Sequence, residues 1–222
     1  MPADALINVN GDSVQTLEIL FLTTIMMLLP SMVVMMTSFT RYIVAFSFLR
    51  SAMGTQQTPP NMILVGMALI LTLFTMTPTL NAINDEALQP YQEDEITQVE
   101  FFDRAQVPLK RFMIKWTQIR SLELYCNISG TPVPTTEEEA QALPLTVIIP
   151  AFVTSELKQA FQIGFLLYIP FMLIDMVVAS TLMSMGMIML PPSMISTPFK
   201  LLLFIMLDGW QLLFSSLVAG FQ

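Results

Sequence analysis

Residues 183 to 194 read Met-Ser-Met-Gly-Met-Ile-Met-Leu-Pro-Pro-Ser-Met, a run of thioethers closed by the pair Pro191-Pro192. Methionine is unbranched and polarizable, so it closes around shapes that differ where a branched side chain fits only one. Met183, Met185, Met187 and Met189, with Ile188 among them, therefore read as a deformable seal rather than a reactive centre. Alternating methionines would be spread around a regular helix, so the Gly186 region is expected to be a loop or a distorted helix. Met172, Met176, Met183 and Met187 also follow helical spacing, which ordinary core packing explains.

The second constellation is charged. Asp175 and Asp208 each lie about sixteen residues from the Pro191-Pro192 turn, and Arg41 lies about sixteen residues before the middle of the turn at 55–59. Charges at one depth in an apolar medium are tolerable when paired inside protein or lining water. An ion pair of Asp175 or Asp208 with Arg41 is therefore expected to join the apolar hairpins within or between subunits, with Lys200 as the rival partner of Asp175 if the helices are offset. Two intramembrane aspartates also admit an aspartyl protease or the proton relay of a secondary transporter. The flanking sequence typical of such proteases is absent, and the hairpins share no repeat pattern that would favour a transporter. There is no Gly-rich phosphate loop and no nucleophile beside a base. The chain has no histidine, and its single cysteine, Cys126, forms neither an intrachain disulfide nor a metal cluster. No enzyme activity and no cofactor are expected, and a net charge of −8 leaves no broad basic surface for nucleic acid.

The elements that position these residues are membrane helices. Of the 222 residues 54% are hydrophobic and 12% charged, far from the roughly 25% charged content of a soluble domain, and mean hydropathy is +0.66. Four apolar segments stand out at 17–49, 62–83, 160–190 and 199–221. The predicted fold is an all-α integral membrane protein of two long, kinked helical hairpins with a helical extracytoplasmic insertion. Its divisions are an N-terminal tail (1–16), a first hairpin (17–83), a polar insertion (84–158) and a second hairpin with the methionine-rich turn (159–222). The first segment would be about 50 Å long as one helix, more than a bilayer core needs, and Pro30 is its expected kink. Gly54, Pro59 and Pro60 supply the turn of the first hairpin, and Pro191 and Pro192 that of the second.

In the insertion, Glu93-Asp94-Glu95 and Glu137-Glu138-Glu139 read as solvated runs. Phe101, Phe102, Leu109, Phe112, Met113 and Trp116 recur at helical spacing, which predicts an amphipathic helix pair broken at Pro108 and offering a subunit contact. Thr154 or Ser155 is expected to cap the third long helix. Arg50 and Lys200 beside the two turns place those turns in the cytoplasm, with the insertion and both termini outside. The start, Met-Pro-Ala-Asp, lacks a basic leader, and the first apolar stretch is too long for a signal-peptide core.

Nearly the whole chain after residue 17 resembles the FliP/SctR family of type III protein export. The carriers are Met35-Met36-Thr37-Ser38-Phe39-Thr40-Arg41, Leu49-Arg50, Met53-Gly54-Thr55-Gln56, Pro59-Pro60-Asn61, the run from Pro150 to Lys158, the run from Ala160 to Phe165, and Asp208-Gly209-Trp210. Ile188 stands where the family pattern has a middle methionine. The resemblance implies a non-catalytic gate subunit of the bacterial inner membrane, within the flagellar basal body. It would form a homo-oligomeric ring, pentameric in the family, with FliQ and FliR, and work with FlhB-type and FlhA-type export proteins on unfolded substrates. The methionine-bearing loop would act as a gasket around the pore. An injectisome subunit is the alternative within the class, and a proton-coupled secondary transporter the alternative outside it.

Overall fold

The computed structural model describes residues 7–9, 12–14, 16–55, 57–187 and 189–221. Two three-residue strands, β1 (Ile7–Val9) and β2 (Asp12–Val14), pair antiparallel near the N-terminus, and every later element is helical. The first apolar segment is divided into α1 (Thr16–Met35) and α2 (Phe39–Ala52). Its break falls at Met36–Ser38 and not at Pro30, which lies inside α1. A proline inside a membrane helix costs one donor that neighbouring groups can compensate. Hydroxyls compete directly for the backbone: Thr37 Oγ1 donates to the Val34 carbonyl (3.0 Å) and accepts from the Phe39 N–H (3.4 Å).

After the turn at 53–60, α3 (Asn61–Ile83) carries Pro78 inside it. A π-helical turn (84–88) continues α3 into α4 (Gln89–Gln92), giving one apolar helix of 32 residues, Asn61–Gln92. The insertion contains α5 (Gln98–Trp116), α6 (Ile119–Ser129) and α7 (Glu137–Ala142). Helix α5 runs through Pro108 unbroken, against the expected break there; the pair expected from the sequence is instead α5 and α6, separated at Thr117-Gln118.

Helix α8 (Leu145–Ser184) is 40 residues long, about 60 Å, with Pro150 and Pro170 inside it. It begins after Pro144, so neither Thr154 nor Ser155 caps it, and it crosses the expected boundary at 158 without interruption. Buried Ser155 instead donates to the Ala151 carbonyl (2.8 Å) and accepts from the Gln118 N–H (3.0 Å), fastening α6 to α8. Helices α9 (Pro192–Met206) and α10 (Gly209–Ala219) are bent by 64° at Leu207-Asp208. Among the described residues two helices, 61–92 and 145–184, are long and apolar enough to cross a membrane, and the bent pair makes a third if it is one span.

The core gathers Tyr42, Phe46 and Leu49 of α2, Leu64 and Met76 of α3, Phe112 and Met113 of α5, and Ile148 and Phe152 of α8. Gly164 lets α2 and α8 approach: a Cβ built there would lie 2.4 Å from Phe48 Cγ. Much of the outer surface remains apolar, including Met26, Met27, Phe74, Phe165 and Ile205. Such a surface suits lipid or neighbouring helices and not water.

Candidate functional site

The methionine turn is exposed. Helix α8 ends as Gly186 takes a left-handed conformation (φ 74°), and the Met187 N–H reaches back to the Leu182 carbonyl at 3.0 Å. This is a Schellman-type stop, which glycine adopts without a Cβ penalty. The accessible fractions of Met183, Met185, Met187 and Met189 are 65%, 68%, 43% and 97%, which excludes ordinary core packing for these four. Pro191 is extended and Pro192 opens α9, as its fixed φ and missing N–H favour. Ile188 lies outside the described residues.

The two hairpin turns meet. Gly54 is left-handed (φ 76°), and a Cβ there would sit 3.2 Å from Thr197 Oγ1 of α9. Arg50, Ser51, Gly54, Thr55, Ser193, Met194 and Thr197 enclose a cavity of about 510 Å³ between the turns. Arg50 Nη1 donates a long bond to the carbonyl of Pro59 (3.5 Å), and Pro60 precedes the first residue of α3.

Close to this junction Lys200 Nζ donates to Asp175 Oδ2 (2.6 Å) and to the Ala52 carbonyl (3.1 Å). The second bond satisfies a carbonyl at the C-terminus of α2, where a cation is also favoured by the helix dipole. Ser196 Oγ donates to Asp175 Oδ1 at 2.6 Å. One lysine therefore ties α9 to both α8 and α2. The rival pair named from the sequence is the pair that forms within the chain.

Arg41 pairs with neither Asp175 nor Asp208. Its Nε donates to Glu156 Oε2 (2.7 Å) and its Nη2 to Glu156 Oε1 (2.5 Å), a two-point fork with both side chains almost fully buried. Nη1 donates to the Gly220 carbonyl (3.2 Å), and the guanidinium lies 3.6 Å from the centroid of the Phe221 ring. Phe221 in turn stacks on Phe112 and packs edge-on against Trp116 and Tyr42. The arginine thus gathers α2, α8, the insertion and the end of the chain around one charge. Equal depth along idealised hairpins does not identify its partner, because α8 starts at Leu145 and carries Glu156 inward from a stretch expected to be polar. The missed signal is the four-residue spacing of Phe152, Glu156, Ala160 and Gly164, all buried on one face of α8.

Asp208 stands apart, exposed and left-handed (φ 48°), with no hydrogen bond from its side chain to the first turn of α10. Outside the apolar segments, Thr97 and Glu100 form a capping box at the start of α5. The Thr97 N–H and hydroxyl, at 2.9 and 3.1 Å, hold the Glu100 carboxyl below its ordinary range.

Long apolar helices folded into hairpins, with Arg41 and Lys200 buried against carboxylate partners, define an integral membrane protein of the α-helical class. The FliP family pattern matches residues 22–217. A flagellar biosynthetic protein FliP of Aquifex aeolicus is 49% identical over 212 residues, covering 96% of this chain and 88% of its own length. FliP of Bacillus subtilis is 48% identical over 206 residues, covering 93% and 92%, and that of Pectobacterium carotovorum is 48% identical over 209, covering 94% and 79%. The chain belongs to the FliP family, which is not an enzyme family.

Proposed function

We propose that this chain is a core subunit of the flagellar type III protein export gate in the bacterial inner membrane. Several copies, five by family precedent, form a closed helical ring with FliQ and FliR, and unfolded flagellar proteins pass through its centre. FlhB-type and FlhA-type proteins complete the export machinery. The hairpin turns face the cytoplasm, where Arg50 and Lys200 lie, and the insertion and both termini face the periplasm. The observation that carries this reading is the exposure of Met183, Met185, Met187 and Met189 beside a left-handed glycine and a proline-initiated helix, instead of packing into the core. Soft side chains on a fixed turn, repeated around a ring, close on themselves when the channel is empty and yield to a passing chain. The flagellar names of the relatives favour this system over an injectisome.

The test is ion leakage through the assembled complex in a membrane. Replacing Met185, Met187 and Met189 together by alanine is expected to raise small-ion conductance severalfold while the complex still assembles. Unchanged conductance in a fully assembled complex would remove the methionine turn from the gate.

A further inference from the structure

The bend between α9 and α10 holds a carboxylate in apolar surroundings. Asp208 is flanked by exposed Ile205, Met206, Leu207 and Leu212, and beside the bend an apolar cavity of about 340 Å³ opens between α8 and the bent pair. Among the described residues the Asp208 carboxylate makes no ion pair and no hydrogen bond, although it stands where a side chain could cap α10. Its left-handed backbone, which Asp adopts more readily than most side chains, ends α9 and leaves the carboxylate at the corner of the bend. A carboxylate on a lipid-facing helix is costly, and it is retained where an opposite charge or water meets it.

The cations of this chain lie elsewhere. Of its nine lysines and arginines, Arg41 and Lys200 are taken by Glu156 and Asp175. Arg50 shares a cavity with Ser193, about 22 Å of helix before Asp208. The others belong to the insertion or to Lys158, and Arg111 and Lys115 line a cavity with Phe221, beyond the far end of α10. A second copy packed alongside in the same orientation brings no free cation to the level of Asp208.

Resting on the reading of this chain as part of a multi-protein membrane assembly, we infer that the Ile205–Leu212 bend docks an apolar helix of a different polypeptide, whose single lysine or arginine pairs with Asp208. The apolar flanks supply packing area and the lone carboxylate sets the register.

The test places a benzophenone amino acid at Leu207, and separately at Leu212, in the full-length chain in native membranes, followed by ultraviolet crosslinking and mass spectrometry of the adducts. The expected product joins this chain to a different polypeptide through a peptide with one lysine or arginine inside an apolar run. Asp208→Asn should lower its yield at least fivefold. Adducts only to lipid or to a second copy, or a yield indifferent to Asp208→Asn, overturn the inference. Where that variant fails to accumulate, the adducts formed with Asp208 intact decide, together with recovery of yield on exchanging the two charges between the chains. Adducts confined to a second copy within a large complex would leave the gate reading standing, whereas no multi-chain species at all would remove that reading first.

Discussion

Loss of the Glu156 carboxylate would leave the Arg41 guanidinium buried without a counter-charge. Breaking a buried ion pair from one side typically costs about 3–5 kcal/mol, so Glu156→Ala should lower the thermal midpoint of the detergent-solubilised protein by roughly 10 °C. Glu156→Gln, which keeps an acceptor for one arm of the guanidinium, should lower it less. A shift below about 2 °C for the alanine variant would mean that the pair contributes little to the fold. The need of Arg41 and Lys200 for partners is legible in the sequence, since a lone charge in an apolar run has few alternatives. The partner is legible only where the chain path is regular. Counting about the turn sets Asp175 level with Asp208, and Lys200 reaches Asp175 only because α8 and α9 are offset, whereas Glu156 depends on how far α8 extends into the insertion. The spacing of Phe152, Glu156, Ala160 and Gly164 carries that extension, but Pro144, Pro150 and the hydroxyls at 154 and 155 resemble boundary signals and mask it.

Five prolines, at 30, 78, 150, 170 and 198, lie inside apolar helices. The sharp breaks fall instead at Thr37-Ser38 and at left-handed Asp208. In an apolar medium the backbone has no water to turn to, so helices persist through a lost donor and end where a side chain or a left-handed residue offers another arrangement. The approach of α2 to α8 at Gly164 is similarly specific. Gly164→Ala would force a Cβ to within 2.4 Å of Phe48 Cγ and should destabilise by about 1–3 kcal/mol as overpacking; adding Phe48→Ala should recover part of that loss in a thermal unfolding series. A double variant that merely sums the two single losses would show that the two residues are not coupled. In the insertion, the lowered Glu100 pKa means that its capping contribution is present above the unfolded value of 4.5 and is lost as the pH falls through the lower folded value. Amide exchange in the first turn of α5 should therefore accelerate in acid relative to a Glu100→Gln variant, in which no such acid step occurs.

The described chain buries Arg41, Glu156 and Lys200 in ion pairs yet leaves long helices, the methionine turn and the α9–α10 bend without apolar cover from its own residues. A membrane protein in this state is complete as a folded unit and incomplete as a machine, because lipid can cover the helix faces but gives the turn no channel to seal. Hydropathy reveals the spans and the methionine pattern reveals the turn, while the way the two hairpin turns meet at Gly54 and Thr197 emerges only from the folded chain. In the proposed assembly, copies of this chain build a ring with other small membrane proteins, and native mass spectrometry of the detergent-purified complex after coexpression with FliQ and FliR reads its composition. A single large species holding several copies of this chain together with both partners is the predicted result, and a stable monomer or dimer free of either partner would contradict it.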